Sequence, residues 1–252
     1  MSFELPQSTL STHNSTTITV RDKELSSEIM GNIGFVRSWY YLLHGEEPTA
    51  GEQQLLDAMC CSLMVHGTTP HAIVSRLAYL SEPTSMQGAV ASGLLGVGSR
   101  FAGAMQACAT DLQAIVDDPH MDKACEALVA KYQEQNVPFP GIGHPHLDPV
   151  DPRAERLFEL AREYDLDGEH VLALQQVQVI FETHTGANLP INVTGAIAAL
   201  ASDMGFPPEG ARGIAVLSRT AGLIAEVLDE QTAPIAGDIY AEIDARRSNN
   251  TP

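Results

Sequence analysis

Apolar residues along this chain recur mostly at helical spacing and almost nowhere in strand alternation. Ile29, Ile33, Val36, Trp39, Tyr40 and Leu43 share one face of a predicted helix that stops at His44-Gly45. Thr49 and Glu52 form a capping-box pair ahead of a second helix with a core face of Leu55, Leu56, Met59 and Leu63. Thr69-Pro70 opens a third helix through Leu80, because proline is preorganised for the first helical position. Later periodic stretches predict helices over 101–116, 121–135, 151–164, 168–185, 193–204 and 208–228. Residues 88–103 are rich in Gly and Ala, so helices or a ligand can come close there. Strand character is confined to Thr17-Ile18-Thr19-Val20 inside a polar opening, which reads as an arm or small hairpin placed to contact a partner subunit. After Thr232 the periodicity is lost, and the end of the chain over 246–252 is expected to fray.

The chain is therefore predicted all-α. An N-terminal arm over 1–24 precedes a helical domain over 25–252, within which about 118–181 forms a smaller helical subdomain. Clefts between such subdomains are usual ligand sites.

Composition narrows the partners. The 252 residues carry a net charge of -18 and a pI near 4.7, which argues against nucleic acid or an anionic membrane as partner. An anionic ligand must then be met by a few local arginines and backbone amides. The start of the chain has no basic-then-apolar signal pattern, and no apolar run reaches membrane-spanning length. Cys60, Cys61, Cys108 and Cys125 have no metal-ligand spacing and make a poor disulfide framework. They read as reduced, helix-buried cysteines of a cytoplasmic protein without a metal site.

Candidate chemistry concentrates in VPFPGIGHPHLDPVDPR, residues 137–153. Prolines stiffen this stretch, and Gly141 and Gly143 let a ligand approach the backbone. Asp151-Pro152 reads as a helix start. His144 is a neutral-range acid or base, and Arg153, nine positions on, is a fixed bidentate cation. That pairing suits a carboxylate-bearing substrate, although the residues alone equally allow a proline-rich connector. Arg219 lies inside an apolar helix, where a buried guanidinium needs an anionic partner. His66 alone would be a capping or core histidine. His71 and His146 read as solvent-facing, with service as an acid or base as the sharper alternative. Glu182 and His184, with Asn188 shortly after, could supply an acid or base but are expected to end a helix and bond the following loop, and Asp111 and Asp203 to be solvated or structural.

Four stretches together resemble a known family. Residues 28–49 look like its helical opening and turn. His66-Gly67 followed by Ser92-Gly93-Leu94-Leu95-Gly96 and Arg100-Phe101-Ala102-Gly103-Ala104 is similar to its central motif. Gly141-Ile142-Gly143-His144 with Asp151-Pro152-Arg153 is similar to its loop motif. Asn192-Val193-Thr194-Gly195, Gly205-Phe206-Pro207-Pro208 and Ser218-Arg219-Thr220 complete the order over about 25–230. The chain is identified as a member of the citrate synthase superfamily, in its short citryl-CoA lyase branch. Phe101 marks that branch, since citrate synthases proper carry histidine there.

The resemblance implies a citrate synthase-like helical bundle with a large and a small subdomain, working as a homodimer. It also implies carbon–carbon cleavage of a hydroxy-acyl-CoA to acetyl-CoA and a keto acid, or the reverse condensation. It places His66, His144 and Thr194 at the reacting centre. Arg153, Arg219, Arg100 and Phe101 fall on the keto or hydroxy acid, and Gly141, Ile142 and Gly143 on coenzyme A, bound as acyl-CoA. Thr194 stands where the family has a catalytic aspartate, and a threonine hydroxyl is far too weak an acid to serve as that base. Pro145 follows the loop histidine in place of arginine, and the basic residue expected near 233–237 is absent. These departures suggest an altered substrate, with a dehydratase, a thioesterase or a non-catalytic CoA-ester binding subunit as the alternatives.

Overall fold

The structure is a computed structural model that describes residues 8–143 and 150–248, without the side chains of Arg100, Arg247 and Ser248. The chain divides into two compact units, residues 1–57 and 58–252, with the boundary inside a helix.

The first unit opens with an antiparallel sheet in the order β1 (Ser11–His13), β2 (Ile18–Val20), β3 (Lys23–Glu24). Asn14 shapes the first turn: its Oδ1 accepts from the Thr16 and Thr17 amides at 2.8 and 2.9 Å. The expected hairpin is thus extended by a third short strand. A π-helical turn, Leu25–Ile29, follows, and Gly31 at φ +83° breaks the chain before α1 (Phe35–His44). The single helix predicted from Ile29 is therefore two pieces, because the glycine conformation ends the first. Arg21 donates to the carbonyls of Leu42 and Leu43 and satisfies the C-terminal end of α1. The Thr49–Glu52 capping box forms as expected ahead of α2 (Ala50–Leu63): the Thr49 amide donates to Glu52 at 2.7 Å, and the Glu52 amide to Thr49 Oγ1 at 3.2 Å.

The second unit is helical: α3 (Pro70–Ser81), α4 (Met86–Leu95), α5 (Gly98–Val116), α6 (Met121–Glu134), α7 (Pro152–Glu163), α8 (Glu169–Thr185), α9 (Val193–Asp203), α10 (Pro208–Thr232) and α11 (Ala236–Ser248). The all-α class holds. At its centre lies α9, buried on every side from Gly195 to Ser202 and packed against α5, α7, α8 and α10. Close approach explains the glycines that periodicity could not place. A Cβ on Gly93 of α4 would meet Leu223 of α10 at 2.8 Å, and one on Gly222 would overlap the Met64 carbonyl. Asp203 proves structural, as expected: its carboxylate accepts from the amides of Gly168, His170 and Val171 and from the His170 ring, which caps α8.

The tail corrects the sequence reading. Beyond Thr232, where periodicity is lost, the chain forms α11, which carries Arg246 within it, because Glu230 accepts from the Ile235 amide at 3.0 Å and the Ala236 amide at 2.8 Å. Glu230 is itself held by buried Arg76 at 2.7 Å. Cys61 is also exposed, unlike the other three cysteines.

Candidate active site

Most of the residues that build the site sit at helix N-termini and on the loops entering them, while Arg219 lies within α10. Asn192 caps α9: its Oδ1 accepts from the Thr194 and Gly195 amides at 2.9 and 3.2 Å. Its amide nitrogen Nδ2 donates to the Gly143 carbonyl at 2.7 Å. The Gly143 amide donates to the Pro190 carbonyl at 2.7 Å, and the Asn192 amide to the Gly141 carbonyl at 3.0 Å. Ile142 and Ile191 form a single β-bridge between the same strands of chain. The glycine loop is thereby stitched to the start of α9. Gly141 (φ +103°) and Gly143 (φ +81°) both need the left-handed region that glycine allows.

Asp151 ties in a third element. Fully buried, it caps α7 through the Arg153 amide at 3.0 Å and accepts from the Val193 amide at 2.9 Å. Its two oxygens also take the Arg153 guanidinium in a fork, Nε at 3.0 Å and Nη2 at 2.9 Å. Burial would raise this carboxyl, but the Arg153 and Val193 hydrogen bonds outweigh it and hold Asp151 below the ordinary carboxylate range. The positive ends of α7 and α9 both face it. The sequence exposed Asp151 as a cap; its links to Arg153 and to α9 needed the fold.

These elements enclose a cavity of about 480 Å³. His66, Phe101, Gly143, Arg153, Thr194 and Arg219 all line it, so residues spread over 150 positions meet in one place. Arg219 is partly buried and donates to the Met64 carbonyl at 3.2 Å. Desolvation lowers its pKa; nearby Glu226 opposes that, while the Arg153 charge adds to it. Two guanidiniums in one partly desolvated pocket form a receptor for an anion with more than one charge. Gly141 and Ile142 instead line an adjoining space of about 1690 Å³ that shares Phe101, Gly143, Asn192 and Thr194 with the first. Tyr132, Phe139 and Phe181 give that space an apolar wall.

Among the described residues lining either space there is no Asp or Glu. Among the described residues Thr194 therefore has no carboxylate neighbour in the wall to stand in for the missing acid. Glu182 and His184 do not supply one: Glu182 accepts from the Leu189 amide at 3.0 Å, and His184 pairs with Gln133 at 3.2 Å, as helix-end residues should. His144 and His146 lie outside the described residues, as does the side chain of Arg100. His71 corrects an expectation. It is not solvent-facing but 3% exposed, and it lines the cavity beside Arg219 and His66. Its position one residue after Pro70 in a helical pattern gave the only hint, since the inner face of α3 was not assigned.

The fold and this site define a citrate synthase-type protein, and the comparisons agree. The chain belongs to the citrate synthase family: the model of the citrate synthase C-terminal domain matches residues 10–237. The citryl-CoA lyase from Hydrogenobacter thermophilus is similar over 91% of this chain and 88% of its own, with 32% identity and a TM-score of 0.82. The fold is also that of the ATP citrate lyase from Methanothrix soehngenii, solved with citrate and coenzyme A. There the TM-score is 0.77 and identity 22%, over 91% of this chain and 40% of that one. ATP-citrate synthase subunit 1 of Sordaria macrospora is 28% identical over 183 residues, 66% of this chain and 26% of that protein. The chain thus spans about a quarter of the length of the curated relatives it matches.

Proposed function

We propose that this chain is a CoA-thioester-dependent carbon–carbon lyase of the citryl-CoA lyase type. It cleaves a hydroxy-acyl-CoA to acetyl-CoA and a keto acid, or runs the condensation in reverse. The observation that carries this reading is the convergence of His66, Thr194, Arg153 and Arg219 on one cavity next to the Gly143 loop.

Arg153 and Arg219 hold the carboxylates of the acid half. The adjoining apolar space takes the pantetheine arm along Gly141, Ile142 and Gly143. No Lys or Arg is among the described residues lining that space, so the phosphates of coenzyme A extend beyond it. His66 polarises the thioester side. His144, directly after Gly143, accepts the hydroxyl proton as the carbon–carbon bond breaks. Preorganised donors of this kind act on charge as it develops on oxygen.

The working form is proposed as a homodimer within the cytoplasm. Leu95 on α4, 85% exposed, and Tyr240 and Ile243 on α11, 66% and 64% exposed, offer apolar surface for such an interface. Among the described residues no helix is long and apolar enough to cross a membrane.

The test is acetyl-CoA release from citryl-CoA by the parent protein, with His66→Ala and Thr194→Asp alongside. Release by the parent, lost in His66→Ala, supports the lyase. Silence from the parent with release by Thr194→Asp indicates the same scaffold on an altered substrate. The absence of calorimetric binding to any acyl-CoA overturns the proposal.

A further inference from the structure

In the lyase reading His66 polarises the thioester, and a polarising group acts only where it is held in place. Small misplacements of such a group cost rate steeply. Yet His66 is exposed, on a loop over 64–69 that joins α2 to α3. The next residue, Gly67, takes the left-handed region at φ +62°. The fixed points lie at the two ends of this loop.

The exit is tied to the buried side of α3. The Thr69 amide donates to the Gly67 carbonyl at 2.9 Å, and Thr69 Oγ1 lies 2.8 Å from His71 Nε2. His71 is itself 3% exposed, and its ring meets Phe101 edge-on with centroids 5.6 Å apart. On its other side α4 comes so close that a Cβ on Gly96 would lie 3.5 Å from the His71 Cα. The loop therefore ends on a side chain packed from two sides.

The entry is held by α10. Arg219 Nη1 donates to the Met64 carbonyl at 3.2 Å. One turn further on, a Cβ on Gly222 would overlap that same carbonyl oxygen and stand 2.6 Å from its carbon. Gly222 is buried inside a 25-residue helix, where glycine is ordinarily inferior to alanine. The approach of Met64, two positions before His66, accounts for it. Nor is α10 free to back away. Its next residue, Leu223, is fully buried and packs so closely on α4 that a Cβ on Gly93 would lie 2.8 Å from it. The Met64 carbonyl thus sits in a notch with Gly222 as the floor and Arg219 as the donor.

We infer that Gly222 and Thr69 are positioning residues for His66, one at each end of its loop. Gly222 leaves room on α10 for the Met64 carbonyl, and Thr69 fastens the exit to His71. Together they set where the imidazole meets the cavity. Gly222 itself lines neither space, so its effect passes through the loop. The inference rests on the lyase reading for what His66 does, and on packing alone for where it is held. Non-bonded carbons settle about 3.5–4.0 Å apart, so a methyl group at 222 displaces Met64 by about 1 Å, and His66 with it. No charge is altered by that change.

Two readouts test this. In the protein without ligand, the ring-proton NMR signals of His66, assigned by their loss in His66→Ala, report where the ring sits. Gly222→Ala should shift them and leave those of His170, bonded to Asp203 on another face of the bundle, in place. In cleavage of citryl-CoA, Gly222→Ala should lower kcat about 10–100-fold with KM within about threefold. A merely structural substitution would multiply the defect of His66→Ala, whereas a positioning one acts through that side chain. The double variant His66→Ala/Gly222→Ala should therefore be no slower than His66→Ala alone. Thr69→Val, which releases the exit, should show the same shift and the same non-additivity, and decides the matter if Gly222→Ala does not fold. Unmoved His66 signals, parental turnover in a folded variant, or multiplied defects overturn the inference and leave the lyase reading intact. A parent silent on citryl-CoA overturns the lyase reading, and the His66 signals then decide the positioning by themselves.

Discussion

The side-chain amide of Asn192 donates to the carbonyl of Gly143 at 2.7 Å, while its Oδ1 caps the helix that carries Thr194. One side chain thus closes a helix end and holds the backbone position directly before His144. The two tasks can be separated. Asn192→Ser keeps an acceptor for the α9 amides, and serine caps about as well as asparagine, so stability should fall by less than about 0.5 kcal/mol. It removes the donor to Gly143. Turnover should drop by about tenfold or more, since small misplacements near reacting groups are costly. Parental turnover together with an unchanged melting temperature would show the clamp to be irrelevant.

Gly195→Ala probes the same seam from the other side. A Cβ there would overlap the Gly141 carbonyl oxygen. Alanine would ordinarily add about 1 kcal/mol to a helix interior. The clash with backbone costs about 1–3 kcal/mol, so the net effect should be destabilising. A lowered denaturation midpoint at unchanged m-value is the expected result, and a raised midpoint would mean that the loop yields freely.

Asp151 should shape the acid side of the stability curve. Its folded value lies below the ordinary 3.8, so the unfolded chain binds more protons than the native one as acid is added. The contribution is complete well above pH 4 and fades as pH falls through the folded value. Asp151→Asn should flatten the dependence of unfolding free energy on pH below about 4. At neutral pH it should cost up to about 3–5 kcal/mol, because Arg153 loses its buried partner. Urea titrations between pH 3 and 7 measure both effects.

Arg153 and Arg219 should respond differently to loss of charge. Arg153→Met strands buried Asp151 and should destabilise the protein as well as weaken acid binding. Arg219 donates to a carbonyl, with no carboxylate hydrogen-bonded to it among the described residues, and is already disfavoured by desolvation. Arg219→Met should therefore leave stability unchanged or raise it. Its KM for a dicarboxylic keto acid should rise about 10–100-fold, the worth of one charge-assisted contact. Equal stability losses in the two variants would contradict this division.

Local pattern sufficed for most helices because each strong apolar stripe needs only its own spacing to be seen. Thr49 with Glu52 and Asp151-Pro152 marked their starts because caps bond within a few residues, and Thr69-Pro70 did so through the proline, which is preorganised for the first helical turn. The family motifs likewise marked His66, Thr194, Arg153 and Arg219, which the fold brings together. Where side chains are too small to make a stripe, as in α4, or where the cap comes from elsewhere, as Glu230 does for α11, periodicity was silent.

What the linear order could not carry was direction and partnership. His71 and His66 are both histidines before or after a turn, yet packing against α4 and Phe101 buries the first and leaves the second exposed. Asp151 reads as one more N-cap until α9 arrives with the Val193 amide, 42 positions away. Helix formation depends on neighbours in sequence, and so was legible there. Burial, charge pairing and the shape of the cavity depend on neighbours in space, and only the packed helices decide which those are.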